Sequence, residues 1–145
     1  MFIVTTQIAR SPAVVFARLV QIEEAPLWYS AVKTVQRKDT APVGQGTRAR
    51  FRRQIGGAMV ENEVEVSEFK PNEVFTVSSV SGPTPFQYRY RLAPIGGGTI
   101  LGLEGEISGD GLGGLLGMFK PLAETFFKRG MSANLAAFKR LVESG

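Results

Sequence analysis

The spacing of apolar positions divides the chain into three stretches. Residues Phe2 to Ile8 read as a first strand, and Ser11-Pro12 follow as an N-cap and first-turn proline for a helix through Val20. Val14, Val15, Leu19 and Val20 give that helix a face to bury. Pro26 interrupts the next stretch, so Glu23 to Tyr29 reads as a short helix or turn that delivers Trp28 and Tyr29 to one place. From Val32 to Ile107 the pattern becomes that of strands, punctuated by turns at Pro42-Val43-Gly44, Gly56-Gly57, Lys70-Pro71-Asn72, Gly82-Pro83 and Gly96-Gly97-Gly98. These turns delimit six further strands. Helical spacing returns from about Leu112 to Glu143, with Leu115, Phe119, Leu122, Phe126, Met131, Leu135, Phe138 and Val142 on one stripe. No repeat, linker or shift of composition marks an internal boundary, so residues 1–145 are expected to form a single domain.

The hairpin turns fix which side chains share a face. If Gly56-Gly57 is a two-residue turn, Arg52 faces Glu61, Arg50 faces Glu63 and Arg48 faces Glu65, a ladder of charge on one side of the sheet. The other side then carries Ala49, Phe51 and Arg53 opposite Val64, Asn62 and Val60, and should look inward. The same arithmetic about Gly96-Gly97 sets Arg89 against Glu104 and Gln87 against Glu106 outside. Inside, it sets Phe86, Tyr88, Tyr90 and Leu92 against Ile107, Gly105, Leu103 and Leu101. A glycine facing the Tyr88 ring leaves either a cavity or tight packing of ring on backbone.

Composition narrows the chemistry. The chain has no Cys and no His, so thiol nucleophiles, imidazole bases, disulfides and ordinary zinc or haem sites are absent, and no metal or cofactor is implied. A net charge of +4 invites a nucleic-acid or anionic-membrane partner, but the run Arg48 to Arg53 is largely absorbed by the ladder. No nucleic-acid partner is therefore expected. No apolar stretch approaches the roughly 20 residues of a membrane span and no leader pattern is visible, so a cytoplasmic protein without an integral membrane segment is expected. Gly109-Asp110-Gly111-Leu112-Gly113-Gly114 fits G-x-G-x-x-G, but no second strand follows it, which excludes a dinucleotide unit. The run Gly109 to Gly117 is better suited to gating a cavity mouth.

Several motifs, in this order, resemble the START-like superfamily of polyketide cyclase/dehydrase proteins, also described as SRPBCC or helix-grip proteins. They are Ile8-Ala9-Arg10-Ser11-Pro12-Ala13-Val14-Val15-Phe16, Pro26-Leu27-Trp28, Gly46-Thr47, Tyr88-Arg89-Tyr90-Arg91-Leu92 with Gly97-Gly98-Thr99, and the closing Phe138-Lys139-Arg140-Leu141-Val142-Glu143. The resemblance implies an α+β helix-grip fold: a seven-stranded antiparallel sheet curved around a long C-terminal helix, with two short helices after the first strand. It also implies a lipophilic cavity between sheet and helix. Family members bind lipids, polyketides, quinones or hormones, and a minority cyclise or dehydrate polyketides.

Candidate site residues follow from the inward faces. Arg53 either meets a ligand carboxylate, enolate or phosphate or snorkels to solvent at the cavity rim. Asn62 needs a partner, whether a ligand carbonyl or the protein itself. Tyr88 and Tyr90 offer hydroxyls that can polarise a ligand or relay a proton, or that serve only the core. Trp28 and Tyr29 resemble the family's entrance region, or pack on the helix. Phe51, Phe86 and Leu103 add to the sheet wall, and Phe119, Phe126, Phe127 and Met131 to the helical wall. The leading expectation is a carrier of a small lipophilic ligand, acting as monomer or homodimer. The alternatives are a polyketide cyclase, aromatase or dehydratase using Arg53, Tyr88 and Tyr90, and an interaction module gated by ligand.

Overall fold

The computed structural model describes residues 1–107 and 120–145, with helix side chains from 124 onward. Strand β1 (Phe2–Ile8) leads into helix α1 (Pro12–Leu19) and a 3-10 turn (Ile22–Leu27). Strands β2 (Val32–Arg37), β3 (Arg48–Ile55), β4 (Ala58–Lys70), β5 (Val74–Ser81), β6 (Phe86–Ile95) and β7 (Gly98–Ile107) follow, then helix α2 (Lys120–Ser144). The seven strands form one antiparallel sheet in the order β1-β7-β6-β5-β4-β3-β2. This is the expected helix-grip architecture.

Local chemistry accounts for the elements. Ser11 caps α1 by accepting from the Val14 N–H at 3.4 Å, and Pro12 occupies the first turn, where its missing N–H costs nothing. The β3–β4 hairpin has the predicted register, with Arg48, Arg50 and Arg52 opposite Glu65, Glu63 and Glu61 on the outer face. The β6–β7 register is also as expected, from Phe86 opposite Ile107 to Leu92 opposite Leu101. Its charge pairing is diagonal, however: Glu104 accepts from Arg91 at 2.6 Å, while Arg89 lies 2.9 Å from Glu68 on β4. Residues two steps apart on neighbouring strands are within reach of long side chains, so facing positions do not dictate partners.

Helix α2 lies against β1, with Met131, Leu135, Phe138 and Val142 buried. Its end is tied to the start of the chain: Glu143 accepts from the Ala9 N–H at 2.8 Å and from Lys139 at 2.9 Å. The backbone N–H and the Lys139 cation hold the Glu143 carboxyl below its usual range. The stripe positions Leu115 and Phe119 and the run Gly109 to Gly117, read as a gate, lie outside the described residues.

The space over Gly105 holds neither a cavity nor the Tyr88 ring alone. Phe2 on β1 is the other neighbour of Gly105, and a Cβ added there would come within 2.3 Å of its ring. Hairpin arithmetic on β6 and β7 had no means of placing β1. The Phe2 and Tyr88 rings are 6.2 Å apart, so the missing Cβ is replaced by aromatic packing.

Candidate functional site

Two features of the interior locate the site. The space enclosed by the sheet aromatics is small, about 20 Å³ among Trp28, Phe51, Phe75, Phe86, Tyr88 and Tyr90, which is room for no more than a water. A larger pocket of about 310 Å³ opens where the tip of the β3–β4 hairpin meets the first turns of α2. Its apolar walls come from Ile55, Phe126, Phe127 and Met131. Its polar edge comes from Tyr29, Ser30, Lys33, Arg53, Tyr88 and Asn134.

Strand alternation sends Arg53 inward, and the structure buries it to 1% exposure. The rim reading of Arg53 is thereby overturned. Its Nε and Nη2 both donate to Asn62 Oδ1, at 3.0 and 2.8 Å, and Nη2 also donates to the Thr84 carbonyl at 3.2 Å and hydroxyl at 2.5 Å. The guanidinium carbon sits 4.3 Å from the centre of the Phe86 ring, a cation–π contact. Among the described residues Arg53 forms no ion pair.

Asn62 completes this network. Its Nδ2 donates to the Ser81 carbonyl at 3.2 Å and the Pro83 carbonyl at 2.7 Å, so both ends of the amide are satisfied by protein. Two strands thus clamp the β5–β6 turn, where Thr84 adopts a φ of +49°, costly for a β-branched residue. Gly82 in the same turn has a φ of +101°, and a Cβ there would fall 2.3 Å from the Glu61 carbonyl oxygen.

The tyrosines stand beside this cluster. Burial raises the Tyr29 hydroxyl well above the ordinary tyrosine range, and the neighbouring Tyr88 pushes it the same way, while the Arg53 charge opposes both. Tyr88 is raised by burial and partly relieved by its neighbours Tyr29 and Arg53. Burial also raises Tyr90, reinforced by Tyr88. All three stay neutral across ordinary pH, donors and acceptors of hydrogen bonds rather than ready acids or bases.

The sequence-predicted residues therefore divide. Tyr29, Arg53, Tyr88, Phe126, Phe127 and Met131 share the open pocket. Trp28, Phe51 and Tyr90 line the small interior space, Phe86 lines both that space and a separate surface depression, and Trp28 packs on α2 with its ring 5.0 Å from Phe138. Leu103 is buried in the core and lines neither space. Asn62 serves the turn, and Phe119 lies outside the described residues.

Sequence reasoning missed Asn134, Lys33 and Ser30. Asn134 sits three residues after Met131 on the buried stripe of α2, and a polar side chain on such a stripe is a legible signal. Its Oδ1 accepts from the Ser30 N–H at 3.0 Å, while among the described residues its Nδ2 meets only the Met131 sulfur, at 3.2 Å.

A second depression of about 390 Å³ is lined by Met1, Phe2, Ser78, Gln87, Glu106 and Glu124, among others. It holds two carboxylates and no Lys or Arg among the described residues, and Glu124 already pairs with the Met1 amino group at 3.1 Å. Among the described residues, no group of three or more Asp or Glu side chains is placed to hold a metal ion, and no helix is long and apolar enough to cross a membrane.

The sequence profile of the family described as "Polyketide cyclase / dehydrase and lipid transport" matches residues 1–143. The chain belongs to this family. Solved structures share its fold. The protein TTHA0849 from Thermus thermophilus is 20% identical with a TM-score of 0.75, covering 97% of this chain and 94% of that one. The Zhui aromatase/cyclase from Streptomyces sp. R1128 is 14% identical with a TM-score of 0.73, over 98% and 92%. A START superfamily protein from Mycobacterium smegmatis is 16% identical with a TM-score of 0.65, over 90% and 93%. No curated protein matches the sequence. The family spans cyclases, dehydrases and lipid transport, and the structural likenesses establish the fold.

Proposed function

We propose that this protein binds and carries a small lipophilic molecule in the pocket between the β3–β4 hairpin and α2, acting as one ligand-binding domain over residues 1–145. The observation that carries the reading is the pocket's composition. Phe126, Phe127, Met131 and Ile55 offer an apolar bed, while Arg53, Tyr29 and Tyr88 form a buried polar edge in about 310 Å³ of space. Ligand sites are typically mostly apolar clefts with a few fixed polar groups of this kind.

A carrier fits the residues better than an enzyme. The tyrosine hydroxyls are held far from the neutral range that general acid–base catalysis favours. Glutamates face Arg48, Arg50 and Arg52 across the hairpin, with Arg48 and Glu65 3.8 Å apart, and this negative charge beside the arginines likewise favours a small ligand over nucleic acid. Native mass spectrometry of the purified protein tests the reading. The expected result is a small adduct, either co-purified or acquired on incubation with alcohols, fatty acids and naphthols, that leaves on unfolding. A single unliganded mass under all these conditions contradicts it.

A further inference from the structure

The polar side of the pocket is one-sided in its chemistry. Arg53 brings a buried positive charge with no ion pair among the described residues, and every hydrogen bond it makes ends on a neutral oxygen. Buried charges are ordinarily paired, because removal from water is otherwise uncompensated. Asn134, 4% exposed, spends its acceptor on the Ser30 N–H, while among the described residues its Nδ2 has only the Met131 thioether, a weak acceptor. Lys33 adds a second cation at the mouth, and no carboxylate lines the pocket among the described residues. Among the described residues, the polar edge thus combines a buried positive charge without a counter-charge at Arg53 and an amide donor at Asn134 that meets a thioether rather than an oxygen.

We infer that the ligand is an amphipathic anion, a carboxylate or similarly charged head on a compact apolar body. Its head lies between Arg53 and Asn134, and its body lies on Phe126, Phe127 and Met131. This rests on the carrier reading and specifies its ligand class. The anion supplies the charge that Arg53 lacks and the acceptor that the Asn134 Nδ2 lacks, while the Ser30 contact leaves the Asn134 side chain already oriented. The volume of about 310 Å³ lies at the lower end of small-molecule sites, which suits one compact ligand rather than a long two-chain lipid.

The test compares decanoate with decanol, which share a tail and differ in head charge, by calorimetric titration, with the Asn134 side-chain amide signals in NMR reporting the location. Decanoate is expected to bind at least about tenfold more tightly than decanol and to shift the Asn134 amide signals. Asn134→Asp keeps the acceptor for the Ser30 N–H but places a carboxylate on the pocket's polar edge, and it is expected to lose about tenfold or more for decanoate while leaving decanol within about twofold. Equal affinity for the two ligands in the unaltered protein overturns the anion assignment and leaves the carrier reading standing, and this comparison holds even if the variant fails to fold. Decanoate binding that leaves the Asn134 signals unmoved also overturns the assignment. Binding of neither ligand overturns the carrier reading itself.

Discussion

Arg53 directs both its Nε and its Nη2 to one atom of Asn62, Oδ1, at 3.0 and 2.8 Å, and Asn62 turns its own donors onto the carbonyls of Ser81 and Pro83. The pair transmits order from the β3–β4 hairpin to the β5–β6 turn and fixes the guanidinium at the pocket edge.

Asn62→Leu removes the acceptor for Arg53 and the donors for two carbonyls in one step. Buried groups left without partners cost about 1–3 kcal/mol each, so the variant should lose about 2–4 kcal/mol of stability in urea unfolding. A loss below about 0.5 kcal/mol would show that the network is not holding the turn.

Gly82→Ala tests the turn itself. The backbone conformation at Gly82 disfavours any Cβ, and the new atom would collide with the backbone carbonyl of Glu61. A destabilisation of about 2 kcal/mol or more is expected from thermal unfolding. Gly56→Ala, also at positive φ but in open space, should cost less, about 1 kcal/mol.

Phe126→Asp separates binding from folding. Its side chain is 61% exposed and touches Phe127, with ring centres 5.4 Å apart, at the mouth of the pocket. Stability should change by no more than about 0.5 kcal/mol, whereas decanoate affinity should fall by about tenfold through lost apolar contact and like-charge repulsion. Unchanged affinity would place the ligand elsewhere.

The chain has three tyrosines, Tyr29, Tyr88 and Tyr90, and all are buried with their ionisation pushed up. Below the unfolded value of about 10, folded and unfolded chains hold the same tyrosine protons, so these residues leave stability unaffected by pH. Above it the unfolded chain releases protons that the folded chain keeps, so stability falls as pH rises toward the folded values. Ultraviolet absorbance of tyrosinate should therefore stay absent past about pH 10 and appear only together with loss of circular dichroism. Tyrosinate forming in the folded protein would contradict the buried, uncharged edge.

How much of this was legible in the sequence varies with the origin of each contact. Two-residue turns at Gly56-Gly57 and Gly96-Gly97 fix strand register locally, so the facing of Arg52 with Glu61 and of Tyr88 with Gly105 could be read by counting. Alternation also showed that Arg53 points inward. Its destination was hidden, because Thr84 belongs to a turn separated from it by two strands. Phe2 over Gly105 was hidden for the same reason: sequence distance carries no sign that β1 joins β7. Asn134 was passed over because the stripe on α2 was traced through apolar residues, and a single polar position on it reads as noise until Ser30 and Met131 are seen on either side.

Backbone amide NMR with 2-naphthol, a compact uncharged probe, reports where a lipophilic molecule sits irrespective of head-group charge. Carriage in the pocket between hairpin and helix should concentrate the shifts at Tyr29, Ser30, Arg53, Ile55, Phe127 and Met131. Shifts confined to Ser78, Gln87 and Glu106 in the other depression, or no saturable shifts at all, would contradict it.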